Sequence, residues 1–291
     1  MLRQPGALTS DSRNAGFPAG RWRDFQSRDR EAESLPTCRQ ECRRYPGLQS
    51  NTVNDLFEVI HEDADLLVVN KPAGLVCHPT KTDERSSLIG RVRLHLGHGE
   101  GRLVNRLDRE TSGLVLVAKS SAVAGELGKL IEGSAVEKFY RAIVHGFVER
   151  EDFSIDAPLG KDERSVVAIK DCVRPDGAAA QTQVSVERRF TRAGREHTLL
   201  AIQPRHGRKH QIRIHLAHAG HPIVGDKIYG ADEQIYLRFV VGALTEADKE
   251  SLLLTNHALH AERLRFNWRG RDWEFHAEPG EECQEFLALE S

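Results

Sequence analysis

The chain has 291 residues, 39% hydrophobic and 29% charged, a composition that excludes wholesale disorder and suffices for a sizeable buried core. Lys and Arg total 41 against 43 Asp and Glu, a formal net charge of -2, so any polyanion site has to be a local basic patch. No apolar run approaches the roughly 18 to 20 residues of a spanning helix, and the N-terminal stretch lacks the hydrophobic centre of a signal peptide, which predicts no membrane association. Five cysteines at irregular spacing (Cys38, Cys42, Cys77, Cys172 and Cys283) do not make a disulfide framework, and a cytoplasmic protein is expected. Cys38 and Cys42 have no second Cys or His pair at finger-like spacing, so no structural metal is expected.

Residues 1–52 carry 15 hydrophobic residues, eight Gly or Pro, and nine Arg against six acids, without helical or strand periodicity. They read as a flexible basic leader, and residues 53–291 as the folded domain. Leu56 to Ile60 and Leu66 to Asn70 predict two strands joined by an acidic turn. Ser86 and Ser87 can cap a helix in which Leu88, Val92 and Leu96 share a face. Gly113 to Lys119 is an apolar run and predicts a buried strand; Ser120 to Gly133 follows as a serine-capped helix. Val136 to Gly146, Gln181 to Phe190 and His197 to Pro204 alternate or are β-branched and predict strands. Gln211 to Gly220 predicts a short helix, and Leu259 to Pro279 a hairpin turning at Arg269 and Gly270. Without regular β-α-β alternation the fold class expected is α+β on a mainly antiparallel mixed sheet with flanking helices.

Two segments carry chemistry. In Arg102 to Lys119, Asp108 lies between Arg106 and Arg109 in a turn-like stretch before the buried strand, where a rigid sheet can present a reactive acid from a loop. It could equally cap a turn with Thr111 and Ser112. Between Arg205 and His221 there are three Arg, one Lys, five His and no acid. Gly207 followed by donors from Arg208, Lys209 and Gln211, with a helix beginning near His210, suits phosphate and sugar contacts. A metal at His206, His210, His215, His218 and His221 is disfavoured by the interspersed cations and the lack of an acid before Asp226. No GxSxG, GxGxxG or GxxxxGK[ST] pattern supports an acyl-transfer elbow or a nucleotide cofactor.

Together these segments resemble the RluA-type RNA pseudouridine synthases over roughly Leu56 to Leu287. The resemblance rests on VNKPAGLVCHP, NRLDRETSG around Asp108, KFYRAIVHG around Tyr140, GRKHQIRIHLAHAGHPIVGD around Arg213, and the late LHAERLRF. It implies a pseudouridine synthase-like catalytic domain that isomerises uridines of ribosomal or transfer RNA without a cofactor. It also implies catalytic roles for Asp108, Tyr140 and Arg213, with Arg106 entering the base stack. Asn105 stands where the family usually has histidine, and His206, Gly207, Arg208 and Lys209 replace its usual Thr-Gly-Arg-Thr, so substrate choice is the property most open to change. The leader is too poor in apolar residues for the S4-type domain many relatives carry. RNA contacts are expected at Asn105, Arg106, Arg109, Arg208, Lys209, His210 and Gln211, in a monomer.

For that reaction an ionised aspartate would attack covalently or remove a sugar proton, a neighbouring Arg213 would favour its charged form, and the target base would have to be flipped out. Tyr140 read alone is equally a core tyrosine. The rival reading is a non-catalytic RNA-binding protein, for which a carboxylate among arginines facing phosphate is a disadvantage.

Overall fold

A computed structural model describes residues 57–79, 84–97 and 99–288. The expected leader and the Cys38 and Cys42 pair lie outside the described residues. The first strands are β1 (Glu58–Glu62) and β2 (Leu66–Lys71), joined by a turn in which Asp63 Oδ1 accepts from the backbone of Asp65 and Leu66 at 2.8 and 2.7 Å. Leu56, where the expected first strand begins, lies outside the described residues. Helix α1 (Leu88–His95) is capped by Ser87, whose Oγ accepts from Gly90 N at 3.3 Å. β3 (Arg102–Leu103) and β4 (Ser112–Ala118) bracket the Asp108 loop, and α2 (Ser121–Glu132) follows under the Ser120 cap.

Then come β5 (Glu137–His145), β6 (Asp152–Asp156), β7 (Leu159–Lys161), β8 (Asp171–Val173), β9 (Gln181–Arg192) and β10 (Arg195–Pro204). The basic segment folds into α3 (Gln211–His218), and two helices that sequence pattern did not announce follow, α4 (Gln234–Val240) and α5 (Glu246–Leu252). The chain closes with the expected hairpin, β11 (Leu259–Trp268) and β12 (Arg271–His276), and with α6 (Glu281–Leu287). Arg269 and Gly270 turn that hairpin at φ 53° and 75°, the paired positive values of a tight two-residue loop.

The fold is α+β. One mixed sheet runs in the order β1-β2-β4-β11-β5-β10-β9-β6, with β12 added to β11 and β3 to β4; β7 and β8 pair separately. Every ladder is antiparallel except β4 with β11, which meet in parallel only at His260 opposite Ser112 and Ala261 opposite Gly113. That junction dictates a glycine. Gly113 has φ +113°, and a Cβ there would stand 2.3 Å from the carbonyl oxygen of Ala261. The strand leaving the Asp108 loop is thereby pressed against β11. β5 lies beyond it, with Tyr140 opposite both Ala261 of β11 and Ile202 of β10.

The first six residues of α3, Gln211 through Leu216, are all buried, and the helix reaches solvent only at its C-terminal end. Its Ile212 and Leu216 join Ala142, Leu200 and Ile202 in one apolar cluster. A polar residue on such a helix must find its partner inside the protein, and Arg213 does so.

Candidate active site

The Asp108 loop is braced from four directions. Lys71, fully buried at the end of β2, donates from Nζ to the carbonyls of Pro72, Leu75 and Arg109 at 2.8, 2.9 and 3.1 Å. Burial pushes its pKa down to about 8, against the opposing pull of Asp108. Cys77 Sγ lies 3.4 Å from both the amide and the carbonyl of Leu107. Thr111 N donates to the Asp108 carbonyl at 3.2 Å, and Thr111 Oγ1 meets His257 Nε2 at 2.7 Å. Glu110 takes the buried Lys227 ammonium at 2.9 Å. The VNKPAGLVCHP segment thus holds the next loop in place.

Asp108 itself keeps one side open, with 28% of its side chain exposed. Its Oδ2 accepts from Arg213 Nη1 at 2.9 Å. The rest of that guanidinium belongs to Asp226, to which Nε donates at 2.7 Å and Nη2 at 2.9 Å. Asp226 is wholly enclosed and also accepts from the amides of Ile228 and Tyr229 at 2.9 and 3.0 Å. A bidentate, charge-assisted pair of this kind fixes direction as well as charge. Gly225, at φ +81°, allows the turn to Asp226, where a Cβ would come within 2.6 Å of the Asn256 carbonyl.

Burial works to raise the Asp108 pKa, but the charges of His210 and Arg213 and the Arg213 hydrogen bond outweigh it, and the carboxyl is held below the usual range. Arg213 is the permanent member of that set. His210 is pushed down to about 4 and His257 to about 3, chiefly by burial and next by Arg213, so both are neutral near pH 7. The Tyr229 hydroxyl accepts from the Asp171 amide at 3.2 Å and lies 2.9 Å from His210 Nδ1. Nε2 of His210 faces Asp108 Oδ2 at 3.9 Å. The Tyr140 hydroxyl is raised by burial and by the Asp108 charge, so it stays protonated beside the carboxylate.

Asp108, Arg213, Tyr140 and His210 are therefore brought together. Arg106 and Arg109 are exposed beside them, with Arg109 Nε donating to the Gly74 carbonyl at 3.3 Å. Arg208 and Lys209 are exposed as expected, yet Lys209 Nζ already pairs with Asp171 at 3.0 Å. One expected RNA contact needs correcting. Gln211 is buried and spends its amide on Gln181 O at 2.9 Å, Thr182 Oγ1 at 3.0 Å and Arg208 N at 3.2 Å, which leaves nothing to offer RNA. Asn105 accepts from Leu116 N at 2.8 Å and donates to Leu114 O at 3.2 Å, lacing the loop to β4. The histidines of the basic segment disperse: His215 bonds Thr182 and Ala157, and His221 the carbonyl of His145. Sequence reasoning passed over Asp226, Tyr229 and His257; the acid closing the basic run, IVGD, was the one signal for the first.

A family model for RNA pseudouridylate synthase matches residues 65–218. The ribosomal large subunit pseudouridine synthase D of Vibrio cholerae is 32% identical over 240 residues, covering 80% of this chain and 71% of that protein. The uncharacterized RNA pseudouridine synthase YlyB of Bacillus subtilis is 35% identical over 186 residues, covering 62% of this chain and 59% of the relative. A solved structure, human RNA pseudouridylate synthase domain containing 1, superposes with a TM-score of 0.63 at 24% identity, over 79% of this chain and 86% of its own, and shares the fold. The chain belongs to the RNA pseudouridylate synthase family. It spans less than two thirds of the length of several curated relatives, 59% of YlyB and 53% of the Pseudomonas aeruginosa ribosomal large subunit pseudouridine synthase D.

Proposed function

We propose that this protein isomerises uridine to pseudouridine in RNA, with large-subunit ribosomal RNA as its substrate, and that Asp108 is the catalytic group. The observation that carries the reading is a carboxylate kept ionised by a buried arginine and open on one side, with a protonated tyrosine next to it. The glycosidic bond from C1′ to N1 breaks, the uracil turns, and C1′ bonds to C5. C5 gives up its hydrogen as a proton and N1 gains one, so the net change is an isomerisation that balances without an oxidant, reductant or group donor. Asp108 acts on the sugar either as nucleophile at C1′ or as base at its neighbour. Arg213 keeps the charge available and aimed. Tyr140 packs on the flipped uracil while Arg106, exposed and unpaired among the described residues, fills the vacated stack.

The ribosomal assignment is supported by the relatives from Vibrio cholerae and Pseudomonas aeruginosa, both called ribosomal large subunit pseudouridine synthase D. Cys77, Cys172 and Cys283 are free thiols, which suits action in the cytoplasm, where RNA is modified. Pseudouridine mapping of total RNA with and without the gene tests the reading. One or a few large-subunit sites should lose the modification in the deletion strain and regain it on complementation, whereas an identical map in both strains would refute the assignment.

A further inference from the structure

Among the described residues, Lys138 is the one lysine or arginine withdrawn from full exposure whose side chain makes no hydrogen bond and no ion pair. It stands on β5 two residues before Tyr140, on the same face, about 6.6 Å along the strand. Its ammonium reaches the basic loop, where Nζ lies 3.4 Å from the position a Cβ would take on Gly207. Gly207 is flanked by exposed Arg205 and Arg208, and the same loop leads into His210, the neighbour of Asp108.

We propose that Lys138 binds a backbone phosphate of the RNA strand next to the flipped uridine, and so anchors the substrate between the basic loop and Tyr140. An ammonium drawn out of water without a counter-ion is a standing cost. Burial alone depresses its pKa, with no acid acting to restore it. The nearby cations differ in this respect: Lys209 is answered by Asp171, and Arg213 by Asp108 and Asp226. A site that keeps one cation partly dehydrated and unanswered is prepared for an anion that arrives with the ligand. In RNA that anion is the phosphodiester. Because Gly207 lacks a side chain, the approach to Nζ from the loop side stays open.

The inference rests on the RNA-modifying reading, but its test needs no turnover. Filter binding of one uridine-containing stem-loop is measured across a salt series for the wild type, Lys138→Met and Lys138→Arg. Lys138→Met should weaken binding threefold to tenfold at low salt and flatten the salt dependence by about one unit, while Lys138→Arg keeps the wild-type slope. Lys138→Gln replaces the methionine variant if circular dichroism shows that variant unfolded. The same stem-loop is then scanned with single neutral methylphosphonates. One position beside the uridine should weaken the wild type and leave Lys138→Met unaffected. A wild-type slope in a folded Lys138→Met, or a scan in which every position weakens both proteins alike, would overturn the proposal. Tritium release from the same RNA reports separately whether the isomerase reading stands.

Discussion

Asp226 takes one edge of the Arg213 guanidinium, Nε at 2.7 Å and Nη2 at 2.9 Å, and so decides where the remaining nitrogen points. Nη1 points to Asp108 at 2.9 Å. The geometry at the open carboxylate is set by a residue that no substrate can touch.

Asp226→Asn should therefore damage both stability and turnover. The amide places a donor against a donor and leaves the buried Arg213 with Asp108 as its one remaining carboxylate, a loss of about 3–5 kcal/mol. Urea unfolding measures it. A change below about 1 kcal/mol would mean that Asp226 does not anchor Arg213.

Gly113→Ala tests the parallel junction. Its Cβ would lie 2.3 Å from the oxygen and 2.6 Å from the nitrogen of Ala261, backbone atoms that cannot swing aside, on a residue already at φ +113°. The variant should lose more than about 3 kcal/mol in urea, and its circular dichroism should show partial unfolding near physiological temperature. A neutral result would mean that β4 and β11 are not in contact there.

Much of this site was written in local pattern. Asp108 before an apolar strand, Tyr140 in an alternating strand and Arg213 on a helix after a basic loop all stand in their expected elements. The direction of polar side chains was not legible. Gln211 and Asn105 look like donors for RNA, but whether an amide is free depends on acceptors such as Gln181 and Leu114, which the fold brings in from other strands. The contact of Ser112 with His260 spans 148 positions and rests on a two-residue parallel ladder with no periodic signature. Asp226 escaped notice because one carboxylate is informative only once its partner is known.

Acid should destabilise the protein well above the carboxylate range. An unfolded histidine titrates near 6.5, whereas folded His210 and His257 resist protonation until about 4 and about 3. As the pH falls through about 6.5 the unfolded chain binds protons that the folded chain refuses, and stability drops until the folded values are passed. The buried imidazoles of His197, His215 and His260 and the half-buried one of His145 shift in the same direction. Asp226 and Asp108, both held low, lose their contribution further down as they protonate. Unfolding free energy should fall by at least about 2 kcal/mol between about pH 7 and about pH 5, and less steeply in His257→Gln. A flat or rising profile over that interval would contradict the buried, neutral state of these imidazoles.

The central claim is that the Asp108 charge performs the chemistry. Asp108→Asn keeps the size of the side chain and one acceptor for Arg213 Nη1, so the variant should fold and bind RNA. Release of tritium from RNA labelled at uracil C5 reads the reaction directly, because C5 loses its hydrogen when it bonds to the sugar. The wild type should release tritium in proportion to pseudouridine formed, and folded, RNA-binding Asp108→Asn should release none above background. Release at the wild-type rate by that variant would contradict the account.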